Sequence, residues 1–315
     1  MTNKTPRRVI VDTDCGVDDA FALFFLLASP EVDIVGIATT HGTTTVENVT
    51  RNVRAVLAMG GRPDIPVFSG APRPIRRPQV SSPGTHGVNG LSDADLPPAE
   101  PSPAFPGAID LYGQLLQADS APTTVLTLGP KTNLALALAA RPALAATIDQ
   151  VVSMGGAMFV PGNKSPTAES NILKDPEAAA MVLAADMNWT LIPLDIITRL
   201  PLAASTLASL DTGSPRGRFL TAITQTYLTF HRESAGVDGI NLTDPSAAAY
   251  LIRPDLFHTS DLYLEIDTTD GFTAGMTVAH ATRPLGRGHR ARVALTAEWD
   301  AVHDLIVGRL RTILG

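Results

Sequence analysis

The 315-residue sequence predicts an α/β fold in which an open, mainly parallel β-sheet carries helices on both faces. Two observations support this class. Short runs of β-branched residues alternate with apolar segments of helix length through most of the chain, as is typical of parallel sheets covered by helices. Hydrophobic residues make up 44% of the chain, which is enough for a sizeable core, and no change in composition resembles a linker. We therefore expect a single domain over residues 1–315, with small additional β or helical elements.

The first elements follow this alternation closely. A β-branched run at 9–12 predicts a strand, and the apolar segment 20–28 before Ser29 and Pro30 predicts a buried helix. The same pattern continues with predicted strands at 32–39, 123–128, 150–154 and 189–194, and with predicted helices at 46–59, 131–140 and 176–185.

Two segments interrupt the pattern. Residues 72–106 are crowded with proline and glycine, which predicts a long loop of the kind that often forms a lid or a binding loop. Residues 211–243 combine a helix predicted over 217–231 with a glycine-containing segment. After residue 261 the pattern predicts strands and then a closing helix over 301–313.

The charge balance restricts the class of partner. Lys and Arg number 24 against 31 Asp and Glu, and a net charge of −7 argues against nonspecific binding to nucleic acid or to an anionic membrane. The single cysteine, Cys15, excludes an intrachain disulfide. No apolar run is long enough to span a bilayer, and no hydrophobic signal core follows the basic residues 1–8. These observations predict an acidic, soluble, cytoplasmic protein.

The strongest chemical signal is an acidic cluster between the first strand and the first helix. Asp12, Asp14, Asp18 and Asp19 fall within eight residues, at the edge where open α/β sheets bind ligands. Mutual repulsion would raise their pKa values unless a cation lies among them. A hard divalent cation, calcium or magnesium rather than zinc, suits such oxygen ligands. A solvated acidic turn at a helix N-terminus is the simpler alternative, but the apolar flanks disfavour it.

Two other carboxylate motifs share part of this spacing. An EF-hand loop counted from Asp12 would need a bidentate Glu at its twelfth position, where this chain has Leu23, so that interpretation fails. A phosphatase with an aspartyl nucleophile also carries D-x-D after its first strand. It would need a lysine and a further acidic cluster, which the sequence does not place, and it predicts covalent labelling of Asp12. The phosphatase stays open as the weaker alternative.

Further motifs follow in a fixed order along nearly the whole chain. After the acidic cluster come T-H-G-V-N-G-L at 85–91, L-G-P-K-T-N-L-A at 128–135, M-G-G at 154–156 with G-N at 162–163, E-S-N at 169–171, D-P-E-A at 175–178, D-P at 244–245 and G-M-T-V at 275–278. This ordered set resembles the nucleoside hydrolase family, the calcium-dependent N-ribohydrolases of the inosine–uridine preferring type. The resemblance implies the Rossmann-like fold of that family.

The resemblance also implies roles for individual residues. Asp14 matches the carboxylate that binds calcium and takes the proton from the attacking water, and Asp12 is expected beside the site. The implied calcium ligands are Asp14, Asp19, Asp244 and the backbone carbonyl of Leu128. The implied substrate-binding residues, which mainly hold ribose hydroxyls, are Asp18, Asn163, Glu169, Asn171 and Asp244. Taken alone, the last loop residues would be polar groups satisfied by turn hydrogen bonds.

The implied reaction is hydrolysis of the N-glycosidic bond of a ribonucleoside to ribose and a free base, as in purine or pyrimidine salvage. Calcium takes about six to eight oxygens, so the protein ligands leave room for water and the 2′ and 3′ hydroxyls of ribose. The metal acidifies the water and Asp14 accepts its proton. Attack at C1′ passes through an oxocarbenium-like state, while contacts to the sugar hold it in a reactive geometry.

The base side of the predicted site departs from the family pattern. Thr243 stands where the inosine–uridine branch has a His that protonates the leaving base, and threonine is no general acid near neutral pH. Trp189 and Trp299 fall in segments predicted as strand or closing helix, so neither is expected to stack on a base. The histidines available as replacements are His41, His86 and His231, of which His86 and His231 are our candidate catalytic residues.

Smaller departures keep a different class of protein open. Ser170 stands where a bulky aromatic is common, and Thr43 where an Asn is common. Cys15 replaces a proline of many relatives, and because calcium disfavours sulfur we expect it to be a small buried filler. The residues at 170 and 243 would also suit a ribose- or nucleoside-binding protein with little turnover. The family resemblance implies a homodimer or homotetramer.

Overall fold

A large β-sheet forms the centre of the protein in a computed structural model that describes residues 5–98, 107–116, 121–283 and 286–315. The predicted 72–106 loop therefore extends outside the described residues from residue 99 onward. The strands in the described ranges are β1 (Arg7–Thr13), β2 (Val32–Thr39), β3 (Val67–Ser69), β4 (Thr123–Thr127), β5 (Ile148–Met154), β6 (Trp189–Ile192), β7 (Pro201–Ala203), β8 (Gly239–Asn241), β9 (Phe257–Ile266), β10 (Thr277–His280) and β11 (His289–Ala297).

The main sheet has the strand order β10-β9-β11-β6-β5-β4-β1-β2-β3, and β7 pairs with β8 in a small second sheet. Every neighbouring pair from β11 to β3 is parallel, whereas β9 pairs antiparallel with both β11 and β10. The predicted fold class, an open and mainly parallel sheet with small additional elements, is confirmed.

Helices pack on both faces of the sheet. The α-helices of the described ranges are α1 (Val17–Leu27), α2 (Val46–Gly60), α3 (Pro83–His86), α4 (Ala108–Gly113), α5 (Thr132–Ala140), α6 (Ser170–Lys174), α7 (Pro176–Ala184), α8 (Leu194–Ile197), α9 (Ala204–Ser209), α10 (Pro215–Ile223), α11 (Gln225–Ala235), α12 (Thr243–Ile252) and α13 (Trp299–Leu314). None of them combines the length and apolarity that crossing a bilayer requires.

Strand β1 separates two hydrophobic cores because successive side chains of a strand point to opposite faces. Val9 and Val11 belong to the core that includes α1, α2 and α13, while Ile10 belongs to the core that includes α4, α5 and α7. All three side chains are fully buried. This double burial explains why the strand is a continuous apolar run rather than an alternating one.

Helix α1 is apolar on nearly all sides, and nearly all of its side chains are buried. It packs against α12, α13 and α2, so it lies inside one layer rather than on its surface. Cys15, immediately before it, is fully buried and belongs to the same core. The prediction that this cysteine is a buried filler is confirmed.

The helix predicted over 217–231 is wrong as a single element. The chain forms α10 and α11 there, with Thr224 between them. The Thr224 hydroxyl donates to the Leu220 carbonyl four residues earlier, and such back-bonding by threonine competes with the regular helix and bends it. Helix α11, which follows the break, contacts α3.

The parallel strands end at one edge of the sheet, and the polar segments that follow them meet there. Asp14 follows β1, the segment 40–44 follows β2, Leu128 follows β4 and Gly155 follows β5. Ligands bind at this carboxyl edge in open α/β sheets, so the topology predicts a ligand-binding site among these loops.

Candidate active site

A cavity of about 420 Å³ opens at the carboxyl edge of the sheet. Its walls come from loops and helices far apart in sequence, including α3, α6, α11 and the start of α12. Every residue predicted as catalytic, substrate-binding or metal-binding lines it: Asp14, Asp18, Asp19, His86, Leu128, Asn163, Glu169, Asn171, His231 and Asp244.

The loop between β1 and α1 fixes the orientation of Asp19. One carboxylate oxygen accepts from the Thr13 hydroxyl, and the other accepts from the Gly16 backbone N–H at 2.8 Å. Cys15 takes a positive φ of 30°, which is uncommon for a residue with a side chain, and its backbone N–H donates to Thr13 Oγ1 at 3.0 Å. The tight loop therefore turns Asp19 back over the end of the strand.

One carboxylate oxygen of Asp14 accepts two hydrogen bonds. Lys174 Nζ lies 3.0 Å and Thr43 Oγ1 3.1 Å from Asp14 Oδ2. Burial alone would raise the pKa of Asp14, but the charge and hydrogen bond of Lys174, with smaller contributions from His86 and Thr43, hold that pKa below its usual range. Among the described residues, Oδ1 has no hydrogen-bond donor, so it is the oxygen free to meet a ligand.

Asp18, Asp19 and Asp244 converge at one point of the cavity wall. Each offers a carboxylate oxygen, and these oxygens lie within 4.8 Å of one another. Burial and the charges of Asp14 and Asp18 raise the pKa of Asp19 to about 8, and burial and the charges of Asp19, Asp18 and Asp14 raise the pKa of Asp244 well above its usual value. Crowded carboxylate oxygens of this kind fit a hard divalent cation.

Thr243, which stands where the inosine–uridine branch has a His, faces Asp18. Its hydroxyl donates to Asp18 Oδ2, and the same oxygen accepts from Tyr227 Oη at 3.3 Å. Thr243 and Tyr227 both line the cavity. The threonine thus orients a carboxylate, and it has no means of protonating a leaving base.

His86 reaches the cavity from α3, inside the segment predicted as a long loop. The Val17 backbone N–H donates to His86 Nδ1 at 3.2 Å, so Nδ1 is an acceptor and the ring proton sits on Nε2. Burial lowers the pKa of His86, more strongly than the nearby carboxylate of Asp18 raises it. The ring stacks on Tyr227 with centroids 5.1 Å apart.

His231 completes an aromatic wall on the same side. Its ring lies 4.5 Å from that of Tyr227, measured between centroids, and next to Phe230. His231 Nε2 is buried and has no hydrogen-bond partner among the described residues, and burial lowers the pKa of the ring.

The third candidate histidine, His41, and the two tryptophans do not line the cavity. His41 Nε2 is 2.9 Å from Thr132 Oγ1, which itself donates to Asp175. Trp189 is buried in β6 and donates to Ser153 Oγ at 2.6 Å, and Trp299 begins α13. None of these side chains lines the cavity.

Polar residues of the 163–171 segment form the opposite wall. Glu169 caps α6, with its oxygens accepting from the backbone N–H groups of Asn171, Ile172 and Gly156. Asn163 Oδ1 accepts from the Ser170 N–H at 2.9 Å. These bonds satisfy part of each side chain, as a polar loop would, yet both side chains also line the cavity.

Leu128 and Asn171 lie in contact on this wall. Asn171 Nδ2 donates to the Leu128 carbonyl oxygen and also lies 3.3 Å from Met154 Sδ. A carbonyl oxygen has two lone pairs, so this bond leaves the oxygen of Leu128, which lines the cavity, one further acceptor position.

Asp12 is buried behind the site and does not line the cavity. Its carboxylate accepts from Tyr112 Oη at 2.6 Å and from Asn133 Nδ2 at 3.0 Å, and burial raises its pKa to about 7. A nucleophile must reach the substrate, so this position argues against the phosphatase alternative. It agrees with the expectation that Asp12 lies beside the site.

Three lysines at or beneath the site were not predicted from the sequence. Lys164 and Lys174 line the cavity, and Lys131 lies fully buried with Nζ 2.7 Å from the Gly129 carbonyl and 2.8 Å from the Met154 carbonyl. One signal was available for Lys174, because it follows Asn171 by three residues on α6 and so shares its face.

Comparisons with known proteins agree with this geometry. Residues 9–304 match the family model described as inosine-uridine preferring nucleoside hydrolase. The pyrimidine-specific ribonucleoside hydrolase RihA of Klebsiella pneumoniae (strain 342) is 34% identical over 304 residues, covering 96% of this chain and 97% of that protein. The RihA protein of Salmonella agona (strain SL483) is also 34% identical, with coverage of 96% and 98%.

Solved structures show the same architecture. A plant nucleoside hydrolase, the PpNRh1 enzyme, superposes with a TM-score of 0.91 at 31% identity, covering 98% of this chain and 99% of the other. A purine-preferring ribonucleoside hydrolase from Gardnerella vaginalis gives a TM-score of 0.90 at 28% identity, with the same coverage.

The buried His41 leads to a pH-dependent stability. Burial lowers its pKa to about 4 from an ordinary value of 6.5, so between these values the unfolded chain binds a proton that the folded protein does not. The contribution of His41 to the free energy of unfolding should therefore be nearly constant above pH 6.5. Below that pH the free energy of unfolding should decrease as the pH drops toward 4. In the variant His41→Gln, the glutamine amide can still donate a hydrogen bond to Thr132 but cannot titrate. The decrease in the free energy of unfolding between pH 7 and pH 5 should therefore be smaller than in the wild type by about 2 kcal/mol.

Urea unfolding at both pH values measures this difference. His289, exposed on β11, provides the matched control, and His289→Gln should keep the wild-type pH dependence. Identical pH dependence in His41→Gln and in the wild type would contradict the assignment of His41 as a buried neutral histidine.

Proposed function

Because this chain belongs to the inosine-uridine preferring nucleoside hydrolase family, we propose that it hydrolyses the N-glycosidic bond of ribonucleosides to give ribose and a free base. The observation that carries the proposal is the convergence of an acidic cluster, a polar wall and an aromatic histidine wall on one cavity. The three parts match the three needs of the reaction, namely activation of water, a grip on the sugar and protonation of the departing base.

The acidic cluster supports a divalent cation, and we propose calcium. Asp14, Asp19, Asp244 and the carbonyl oxygen of Leu128 would hold it, and Asp18 lies close enough to join them. These are hard oxygen donors, which calcium prefers, and it tolerates the irregular arrangement better than magnesium does. Calcium bound there would supply positive charge that acidifies a nearby water and orients the vicinal hydroxyls of ribose.

Asp14 is proposed as the general base. Lys174 and Thr43 occupy Oδ2 and fix the plane of the carboxylate, while Oδ1 remains available. The effect of Lys174 on the pKa of Asp14 keeps the carboxylate ionised, which a base that accepts a proton from water requires. The new C1′–O bond forms as the C1′–N bond breaks.

The sugar is proposed to lie between the acidic cluster and the polar wall. Asn163 Nδ2 has no acceptor among the described residues, and Glu169 Oε1 accepts only one backbone N–H. Both groups can therefore bond to ribose hydroxyls, and Asn171 and Asp18 add two more polar contacts. Such contacts raise the rate by holding C1′ in reach of the water.

The aromatic wall is proposed to receive the base. Tyr227 and Phe230 offer apolar surface, while His86 carries its proton on Nε2. His231 Nε2 is buried and unpaired among the described residues, which is costly unless a ligand bonds to it. We assign the protonation of the leaving base to His231 and His86, since the hydroxyl of Thr243 already donates its proton to Asp18.

Three further predictions stay attached to this function. We expect a single domain over residues 1–315, a homodimer or homotetramer as is common for metabolic enzymes, and a cytoplasmic location where nucleosides from nucleic acid turnover are salvaged. The relatives named above include both pyrimidine-specific and purine-preferring enzymes, so the test of function uses nucleosides of both kinds.

A reducing-sugar assay tests the function directly. Purified protein should release ribose from one or more of inosine, uridine, adenosine, cytidine and p-nitrophenyl riboside. Activity should vanish after treatment with a chelator and return with calcium more fully than with magnesium. Binding of nucleosides without release of ribose from any of them would contradict the hydrolase and favour a binding protein.

Asp14→Asn should lower kcat by about 10³-fold or more, because an amide cannot accept the proton of the attacking water. The same assay measures this loss, and thermal unfolding checks that the variant remains folded. Asp33→Asn, an exposed carboxylate on β2, is the control and should retain wild-type activity. Near-normal turnover by Asp14→Asn would remove Asp14 from the role of base.

His231→Ala and His86→Ala test the protonation of the leaving base. Each should lower kcat on natural nucleosides by about 10²-fold or more. On p-nitrophenyl riboside, whose leaving group needs little protonation, the loss should stay below about tenfold. His289→Gln again serves as the control. Equal losses on both kinds of substrate would show that a histidine positions the substrate and does not protonate the base.

A further inference from the structure

Asn241 lies beside the aromatic wall of the cavity. It is the last residue of β8, and it lines the cavity together with Phe230, His231 and Ser234 of α11. Strand β8 contacts α11, and it pairs antiparallel with β7, where Asn241 is opposite Pro201. The backbone pairing of the strand therefore fixes the position of Asn241 at the end of the cavity that is proposed to receive the base.

The alternation of the strand directs the side chain of Asn241 toward the cavity. Its two neighbours, Ile240 and Leu242, are buried in the core that includes α1. Successive side chains of a strand point to opposite sides, so the side chain between these two points away from that core. Asn241 is accordingly only partly buried, and it forms part of the cavity wall.

The carboxamide of Asn241 has hydrogen-bonding groups that the protein does not use. It offers an acceptor oxygen and two N–H donors, and no described residue forms a hydrogen bond with this side chain. By contrast, the hydroxyls of Thr198 and Ser234 on the same wall donate to carbonyl oxygens four residues earlier. Asparagine is also disfavoured in strands. Folding alone therefore gives no reason for an amide here, whereas a ligand in the cavity does.

The chain holds Asn241 close to the acidic cluster. Two residues later, Thr243 donates to Asp18 Oδ2, and Asp244 belongs to the cluster itself. Two residues of extended chain span at most about 7 Å, which is comparable to the width of a nucleobase. A base whose sugar is held by these carboxylates can therefore reach Asn241 with the edge that lies away from the glycosidic bond.

We propose that Asn241 is a specificity-determining residue that bonds to this edge of the base and so selects nucleobases over other leaving groups. This inference rests on the proposed N-glycosidic hydrolysis. Uracil and hypoxanthine present a ring N–H beside a carbonyl oxygen on that edge, and cytosine and adenine present a ring nitrogen beside an amino group. A carboxamide pairs with either arrangement, because rotation of the amide exchanges its donor and its acceptor. Asn241 therefore accepts both oxo and amino bases.

Kinetics on three ribosides tests this recognition. Uridine and inosine carry the hydrogen-bonding edge, whereas the ring of p-nitrophenyl riboside has no N–H and no amide. Asn241→Leu keeps the approximate shape of the side chain and removes its hydrogen bonds. It should lower kcat/KM by about 10-fold to 100-fold on whichever of uridine and inosine the wild type hydrolyses. The loss on p-nitrophenyl riboside should stay below threefold.

Methylated substrates test the same contact in the unaltered protein. Methylation of uridine at N3, or of inosine at N1, blocks the edge but leaves the glycosidic bond and the ribose unchanged. The wild type should hydrolyse the methylated nucleoside at least tenfold less efficiently than its parent. Asn241→Ala, which removes the amide and leaves room for the methyl group, should reduce this difference to less than threefold.

A matched control and thermal unfolding separate recognition from a structural role. Asn188→Leu replaces an exposed asparagine that does not line the cavity, and it should keep wild-type kinetics on all substrates. Asn241→Leu should keep the wild-type Tm, because the amide bonds to no described residue. Equal losses on all three ribosides, or no loss on any of them, would overturn the inference and leave the proposed function intact.

Absence of hydrolysis on every riboside would contradict the proposed function, and binding then decides the inference. Calorimetry compares uridine and inosine with their methylated forms. Binding of a parent nucleoside at least tenfold more tightly than its methylated form, in the wild type and in Asn188→Leu but not in Asn241→Leu, supports recognition by Asn241. Equal affinities for the two forms in the wild type overturn it.

Discussion

The concentration of carboxylates at one buried edge of the sheet is the constraint on which the site depends. Each carboxylate must be neutralised, hydrogen-bonded or paired, because a buried charge without compensation is too costly to keep. Asp12 is compensated by Tyr112 and Asn133, and Asp14 by Lys174. Asp18 and Asp19 accept hydrogen bonds from hydroxyl and backbone N–H groups, but no lysine or arginine of the described residues pairs with them or with Asp244, so this cluster is where a divalent cation is proposed to bind.

The buried lysines show how the fold distributes the rest of that charge. Lys131 donates to carbonyls that follow β4 and β5 and lies near enough to Glu169 and Asp12 to interact with their charges. Lys174 performs a similar role from α6 but directly on Asp14. Lys131 therefore holds together the loops beneath the site, whereas Lys174 orients Asp14, the proposed general base. The two cations are not interchangeable.

Local pattern was sufficient to predict much of the fold. The run at β1, the apolar helix α1 and the acidic loop between them are determined within a few residues, and the structure has each of them. Contacts between distant segments were beyond such reasoning. Lys174 meets Asp14 across 160 residues, and the break at Thr224 follows a bond that competes with the helix. Those outcomes depend on tertiary packing, which a single sequence does not display.

Thr243 connects the two sides of the proposed site. Its hydroxyl and that of Tyr227 share Asp18 Oδ2, so the wall that faces the base is tied to the acidic cluster that faces the sugar. A hydroxyl used in this way orients a carboxylate but leaves the proton supply to other groups. His86, whose tautomer the Val17 N–H sets, and the unpaired His231 lie on the same wall. The proposed proton donors are thus His86 and His231 on this wall, and Asp18 links the proposed sugar and base sites.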